Sequence, residues 1–544
     1  MRSLKLLVVG LVASRTAAWQ RRMLPVTMQA SQMAAKTALS DLQSGSDVRS
    51  QAFSPGAALG IGRCFGRWLC AESGAAANSL RVAVGQDPRE SGDTLASALC
   101  QGLKEGGVSP VRVGLATTPA MFASCFLDDE AYDAGIMVTA SHLPHEWNGM
   151  KFFTPSGGLN KATLAGILAL DSGHDIHEPQ MDAPAFPEDD FMERYTEDLI
   201  TRMRSIAKET GRGRLHAERP FEGLKIAVNA GNGGGAVVVK VLQQLGADTS
   251  GSVHLAPDGT FPIHIPNPED KFMVEETLRA VQDAEAHVGI MLDTDVDRSG
   301  LICGRTLQPL NRNRLVAAAA HMVLQRHPGG TIVTDSVTSY GVKEFIEKKG
   351  GRHLRFKKGY RNVIDKAIAL NAEGVEAPLA IETSGHAALI DNTWMDDGAF
   401  LALRLVLELA AMRASAAKPD DVVLWSLIEG LHEPAESEEF RLTCSDNASR
   451  IAAAREIEKS IAQAIDDGSL KWEREEPNFE GIRVQVGKSW FSIRESLHEP
   501  KVIINAEAED KDGIRSFLRD LHENCLQKCS VEMELSPVTK YLQA

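Results

Sequence analysis

Two stretches of this 544-residue chain place reactive side chains at the ends of apolar runs. The run Ala134-Gly-Ile-Met-Val138 predicts a short buried strand that delivers Ser141 to a turn, marked by Pro144 and Asn148-Gly149. A serine held there stands on a rigid shelf, with backbone N–H groups free to hold an anion. Lys151, beyond the turn, adds a positive charge that serves phosphate chemistry. Taken alone, the stretch reads either as a phosphate-handling serine or as a polar strand-to-loop junction. The second stretch is Gly289-Ile-Met-Leu-Asp293-Thr-Asp295-Val-Asp297-Arg298. It ends an apolar strand in three carboxylates at alternate positions, a cluster that repels itself without a cation. An EF-hand would need Gly at Arg298 and Glu at Gly304, which excludes that loop.

The elements that must carry these residues alternate between strand and helix. Leu80–Gly85 reads as a strand, Gly60–Leu69 and about Gly92–Leu103 as helices, and Ala236–Leu245 as a helix after the strand beginning at Leu224. The Gly231-x-Gly233-Gly-Gly turn between that strand and its helix lacks the G-x-G-x-x-G spacing of a dinucleotide site. Helix Arg314–Arg326, strand Thr331–Thr334, helix Gly341–Lys348, helix Asp397–Arg413 and strand Lys501–Ala506 follow. This alternation predicts α/β layers. No sequence repeat is visible, although a shared topology among the layers is compatible with the pattern. The stretch from Ser156 to Pro220, with an amphipathic segment Asp190–Lys208 and the basic turn Gly211-Arg-Gly-Arg214, reads as a linker.

Length exceeds a single core and suggests three or four domains. Hydrophobic residues at 43% and charged residues at 24% suit a soluble globular chain. A net charge of −15 argues against duplex nucleic acid or an anionic membrane surface as partner. Eight scattered cysteines without a CxxC pair argue against a zinc site or disulfide framework, and suggest buried thiols in a reducing compartment.

Thr139-Ala-Ser-His-Leu-Pro144 followed by Asn148-Gly-Met-Lys151 resembles the active-serine loop of the α-D-phosphohexomutases, the phosphoglucomutase and phosphomannomutase superfamily. Further motifs resemble that family in the same order. Gly45-Ser-Asp-Val-Arg49 is similar to its first loop, with Ser50 where glycine is usual, and Gln86-Asp-Pro-Arg89-Glu-Ser91 to its next turn. Pro257-Asp-Gly-Thr-Phe-Pro-Ile-His-Ile-Pro-Asn-Pro268 is a further family-like run. The carboxylate cluster resembles its metal loop, with Thr294 and Val296 in place of glycines. Ile381-Glu-Thr-Ser-Gly-His386, with Asp396-Asp-Gly398 trailing, resembles its sugar-binding loop. Arg494-Glu-Ser496-Leu-His-Glu-Pro500 resembles its phosphate-binding loop, with Leu497 and His498 as departures.

The resemblance implies a four-domain, heart-shaped α/β fold: three α/β domains and a C-terminal α+β domain around a central cleft. Expected boundaries are a presequence at 1–40 and domains at 41–219, 220–306, 307–425 and 426–544. It implies interconversion of hexose 1-phosphate and hexose 6-phosphate, of glucose or mannose, through phospho-Ser141 and a hexose 1,6-bisphosphate that also acts as activator. One Mg²⁺ per subunit would be held by Asp293, Asp295, Asp297 and the Ser141 phosphate. Arg49 would lie near the transferring phosphate, with Lys151 and His386 as acid and base. Glu382 and Ser384 would receive sugar hydroxyls, while Arg494, Ser496 and Arg298 would bind substrate. Small sugar phosphates are the expected partners, with no nucleic acid, no membrane for the mature form, and a monomeric or dimeric state. Two other readings stay open: a phosphosugar-binding paralogue without catalysis, and a haloacid-dehalogenase-type phosphatase using Asp293 as nucleophile.

Residues 1–40 contain six basic and no acidic residues, and open with the apolar core Leu6–Ala13, too short to span a bilayer. The following Ala/Ser/Met-rich stretch is similar to a transit peptide. Together they resemble a two-part plastid presequence, with secretion or a cytoplasmic location as alternatives.

Overall fold

The computed structural model describes residues 39–51, 53–171, 179, 185–209, 215–496 and 499–543. The predicted presequence up to residue 38, the turn 211–214, and Leu497 and His498 lie outside them. The chain divides into two compact units, one of residues up to 315 with 384–427 and one of residues 316–383 with those from 428 onward.

In the first unit, strands Ser109–Leu115, Arg81–Gln86 and Ala134–Val138 run parallel in that spatial order. Asn148–Thr154 then pairs antiparallel with Ala134–Val138, closing the active-serine turn as a hairpin connection. Asp47–Ser50 joins the far side, opposing Arg49 to Gly149. Arg49 therefore sits on a strand, not in the expected loop; the turn is at Gly45, whose φ of 67° suits glycine. Because helices cover this sheet, Ala134–Val138 is buried throughout, as parallel strands require.

Helix Pro55–Ser73 is longer than the expected Gly60–Leu69. Ser54 accepts the Ala57 N–H through its hydroxyl, Pro55 opens the first turn, and Gly74 ends the helix at φ 63°. The caps lie outside the apolar run, which is why periodicity underestimates the span. The helix packs backbone to backbone on helix Gly92–Glu105. A Cβ on Gly62 would stand 2.4 Å from the Leu99 carbonyl, and one on Gly102 1.9 Å from that of Leu59. The stretch expected to be a linker carries helices Lys161–Leu168 and Phe191–Glu209, the latter tied by the Tyr195 hydroxyl to Asp397 at 2.9 Å.

A second sheet places strand Val288–Leu292 parallel to Ile226–Asn229 and antiparallel to Ser299–Cys303. Bridges from Lys225 to Asp248 and from Asn229 to Val253 lay the 248–253 segment beside Ile226–Asn229. In the second unit, Arg352–Phe356, Thr331–Asp335 and Leu379–Ile381 repeat the arrangement as three parallel strands. All three layers thus share the spatial order second, first, third. The serine, the carboxylates and Glu382 each directly follow the third strand of their layer. Chemistry at the carboxyl ends of parallel strands is the rule for open α/β sheets.

The last part of the second unit is an antiparallel sheet in the order Glu436–Thr443, Lys501–Ala508, Ser489–Glu495, Ile482–Val486, Glu473–Arg474. Helices Asn447–Asp466 and Lys511–Leu521 supply Ile457 and Phe517 to its core, where Phe517 stacks on Phe491. This is the expected α+β domain. All eight cysteines are free, six of them buried; burial pushes the Cys100 thiol up to about 12, so it stays protonated and inert.

Candidate active site

Ser141 is fully buried and stands at φ 53°, a left-handed backbone that costs a non-glycine residue about 1–3 kcal/mol unless its surroundings enforce it. The surroundings do. Arg89, itself buried, donates to the carbonyls of Ser141, Leu143, Pro144 and Trp147, and pairs with Asp87 at 3.0 Å. Asp87 accepts the Thr139 hydroxyl at 2.7 Å, and Thr139 Oγ1 in turn accepts the Ser141 N–H at 2.8 Å. The expected shelf of free amides is corrected by this bond and by one from Leu143 N–H to the Ala140 carbonyl. Gly149 is required because a Cβ there would meet the Val48 carbonyl at 2.2 Å.

The turn aims the Ser141 hydroxyl at Asp293, to which it donates at 3.0 Å. Asp293, Asp295 and Asp297 occupy the hairpin between Val288–Leu292 and Ser299–Cys303, all buried, with oxygens within 4.8 Å of one another. Val296, where the family pattern has glycine, takes φ 66° and is buried. The hairpin still brings all three carboxylates together. Lys151 Nζ donates to Asp295 at 2.8 Å and, by a shorter bond, to Asp297. Thr118 donates its hydroxyl to Asp295 and its N–H to the Asp295 carbonyl. Burial, with the Asp297 and Asp295 carboxylates added, pushes Asp293 well above the usual carboxylate range. Burial acts in the same direction on Asp297, but Lys151 and Arg298, joined by His386 when it is protonated, outweigh it and hold that group low. Asp295 Oδ1 and Asp297 Oδ1 are buried without a hydrogen-bond partner among the described residues. Hard oxygens on three clustered carboxylates, two of them orphaned, fit a divalent cation.

His386 closes the group. Its Nδ1 lies 2.6 Å from Asp396 and 3.7 Å from Asp297, and its Nε2 accepts from Arg298 Nε at 2.8 Å. An Nε2 that accepts from a guanidinium leaves Nδ1 as the protonated nitrogen, facing Asp396. Arg49 donates to the Ala140 carbonyl at 3.2 Å, beside the serine. His142 Nδ1 is 3.2 Å from Ser141 Oγ; burial, then Arg298 and Arg49, hold its pKa far below normal, so this imidazole is neutral.

The first unit therefore gathers Arg49, Ser141, Lys151, Asp293, Asp295, Asp297, Arg298 and His386, with Ser384 two residues from His386. In the second unit, Glu382 accepts the Gly359 N–H at 2.6 Å. There Arg494 has a buried Nε with no hydrogen-bond partner among the described residues, and Ser496 Oγ accepts the Glu499 N–H. Arg89, Asp87 and Thr118 escape a reading of the sequence for catalytic types. Arg89 and Asp87 lie in a quoted turn, but nothing in its spacing reveals four carbonyl partners.

Repeated α/β layers that present a buried serine to a carboxylate triad define a multidomain α/β enzyme. Models of the phosphoglucomutase/phosphomannomutase α/β/α domains I, II and III match residues 42–169, 193–306 and 311–424. A phosphomannomutase/phosphoglucomutase of Pseudomonas putida is 28% identical, covering 87% of this chain and 92% of that protein. A phosphoglucomutase of Neisseria gonorrhoeae is 27% identical over 84% and 90%. The crystal structure of a phosphoglucomutase/phosphomannomutase family protein from Burkholderia thailandensis is similar at a TM-score of 0.72 and 25% identity, covering 92% of this chain and all of that one. The chain belongs to the α-D-phosphohexomutase superfamily.

Proposed function

We propose that this enzyme interconverts the 1- and 6-phosphates of glucose or mannose, with Ser141 carrying the phosphoryl group between them. The observation that carries this reading is the 3.0 Å approach of the Ser141 hydroxyl to Asp293 within the buried triad. In the forward half-reaction the free hydroxyl of a hexose monophosphate attacks phosphorus and gives up its proton. The bond from phosphorus to Ser141 Oγ breaks, leaving a hexose 1,6-bisphosphate. After the bisphosphate reverses, the serine hydroxyl takes the other phosphoryl group and releases the isomeric monophosphate. A small amount of bisphosphate would therefore activate unphosphorylated enzyme.

Asp293, Asp295 and Asp297 would hold Mg²⁺ together with an oxygen of the Ser141 phosphate. The ion offsets negative charge on the transferring oxygens. Lys151, pinned between two of the aspartates, supplies a fixed positive charge and a proton donor. His386, oriented by Asp396, is the candidate to receive the attacking hydroxyl's proton, and Arg49 stands beside the serine carbonyl turn. Glu382 and Ser384 are assigned to sugar hydroxyls, and Arg494 with Ser496 to the phosphate that is not reacting. A forked guanidinium suits that task.

A coupled assay with glucose 1-phosphate and a trace of bisphosphate tests the reading. Ser141→Ala should abolish turnover, and intact mass should show a phosphate on the wild type alone. Chelation should stop the wild type and added Mg²⁺ restore it. A fully active Ser141→Ala variant sinks the mechanism.

A further inference from the structure

The turn Lys358-Gly359 lies between strand Arg352–Phe356 and helix Tyr360–Ala372, so neither element satisfies its two amides. Two carboxylates do. Gly359 N–H donates to Glu382 at 2.6 Å, and Lys358 N–H donates to Glu480 at 3.2 Å. The same Glu480 oxygen accepts the Ser336 hydroxyl. Gly359 stands at φ 114°, a backbone open to glycine, and has no side chain with which to fix the turn. Its geometry is imposed from outside.

The outside support comes from the antiparallel domain. Three residues after Glu480, Arg483 is buried, stacks on Trp490 at 3.4 Å, and donates to the carbonyls of Ser336 and Thr338 at 3.0 and 3.3 Å. Glu475 accepts from Arg483 at 2.7 Å and also from Arg355, which holds the Thr338 and Ser339 carbonyls. Lys358 Nζ pairs with Asp335 at 3.0 Å, and Asp335 accepts the hydroxyl of Thr383, the neighbour of Glu382. Glu480 therefore sits in a rigid frame and pins the amide preceding the one that holds Glu382.

We propose that Glu480 is a positioning residue that sets the Glu382 carboxylate, so that sugar recognition depends on a residue of the last domain. The proposal rests on the mutase reading for the role of Glu382. When Glu480 is lost, the Lys358 amide loses its acceptor, the turn relaxes, and the Glu382 carboxylate drifts from the sugar hydroxyl it reads. An imperfectly met hydroxyl corresponds to about a tenfold loss in affinity.

The test uses the full chain with Glu480→Ala, Glu480→Gln and an exposed control, Glu473→Gln. Without sugar, the Gly359 amide should exchange with solvent about tenfold faster in Glu480→Ala. With glucose 1-phosphate, KM should rise about tenfold while kcat stays within about twofold. Galactose 1-phosphate, which differs from glucose 1-phosphate only at the C4 hydroxyl, should be disfavoured by a set Glu382 in the wild type, and that preference should shrink by a similar factor in Glu480→Ala. Glu480→Gln keeps an acceptor oxygen and should recover most of each effect; the control should match the wild type. Unchanged Gly359 exchange overturns the proposal. So does faster exchange with KM and sugar preference intact, or a fall in kcat alone. If the wild type turns over no hexose phosphate, the mutase reading fails instead, and Gly359 exchange with glucose 1-phosphate affinity still decides the role of Glu480.

Discussion

Arg89 bonds to Asp87 and to the carbonyls of the serine turn, not to the carboxylate triad, yet the nucleophile depends on it. Five donors in a planar fork reach four carbonyls and Asp87, a pattern an ammonium with three donors cannot reproduce. Phe261 stacks on its guanidinium at 5.1 Å, and a Cβ on Gly259 would meet the Pro88 carbonyl at 2.1 Å. The run Asp258-Gly-Thr-Phe261 thus clamps the serine-holding turn. Arg89→Lys keeps the charge opposite Asp87 but loosens the left-handed Ser141. A misplacement of about 1 Å costs roughly 100-fold in rate. Steady-state kinetics should show kcat down by about that factor with KM little changed. A kcat within twofold of the wild type removes Arg89 from the machinery.

At the scale of elements, the paired helices Pro55–Ser73 and Gly92–Glu105 support the sheet that carries the serine loop. Their contact relies on absent side chains. Gly102→Ala would drive a Cβ into the Leu59 carbonyl, and overpacking of this kind costs about 1–3 kcal/mol. Gly166, in the short helix Lys161–Leu168, has open space around its position. Gly166→Ala should stabilise by up to about 1 kcal/mol through helix propensity. Denaturant melts of the two variants should move in opposite directions. A neutral Gly102→Ala would mean that the helices can separate without loss.

Across the whole molecule, three layers repeat one strand order and place a reactive loop after the same strand. A net charge of −15 means that any anion binding must rest on local cations. No helix among the described residues is long and apolar enough to cross a membrane. For residues 1–38 we propose a plastid presequence that is removed, two residues shorter than the sequence suggests because Leu39 is buried in the core of the first unit. Its loss would take the net charge to −21. Leu39, fully buried, belongs to the core of the first unit, so the mature chain should begin at or before it. N-terminal sequencing of native protein should begin between about Ala18 and Leu39. Recovery of Met1 from the organelle or the cytosol defeats the proposal.

The sequence by itself determined the reactive residues and the strands that end on them. Ala134–Val138 is apolar over its whole length, and Asp293, Asp295 and Asp297 follow another such run, so burial and position were legible locally. Helix Gly92–Glu105 and strand Lys501–Ala508 were visible for the same reason. What escaped was whatever depends on partners distant in the chain. Caps lengthened helix Pro55–Ser73, pairing with Asn148–Thr154 turned the Arg49 loop into a strand, and Thr139 consumed the amide expected to hold an anion. Residues 52 or more positions away decide how Arg89, Thr118 and Glu480 are used. A side chain's type states what it can donate or accept. Only the fold decides which partner is within 3 Å, because that distance is set by the packing of whole layers.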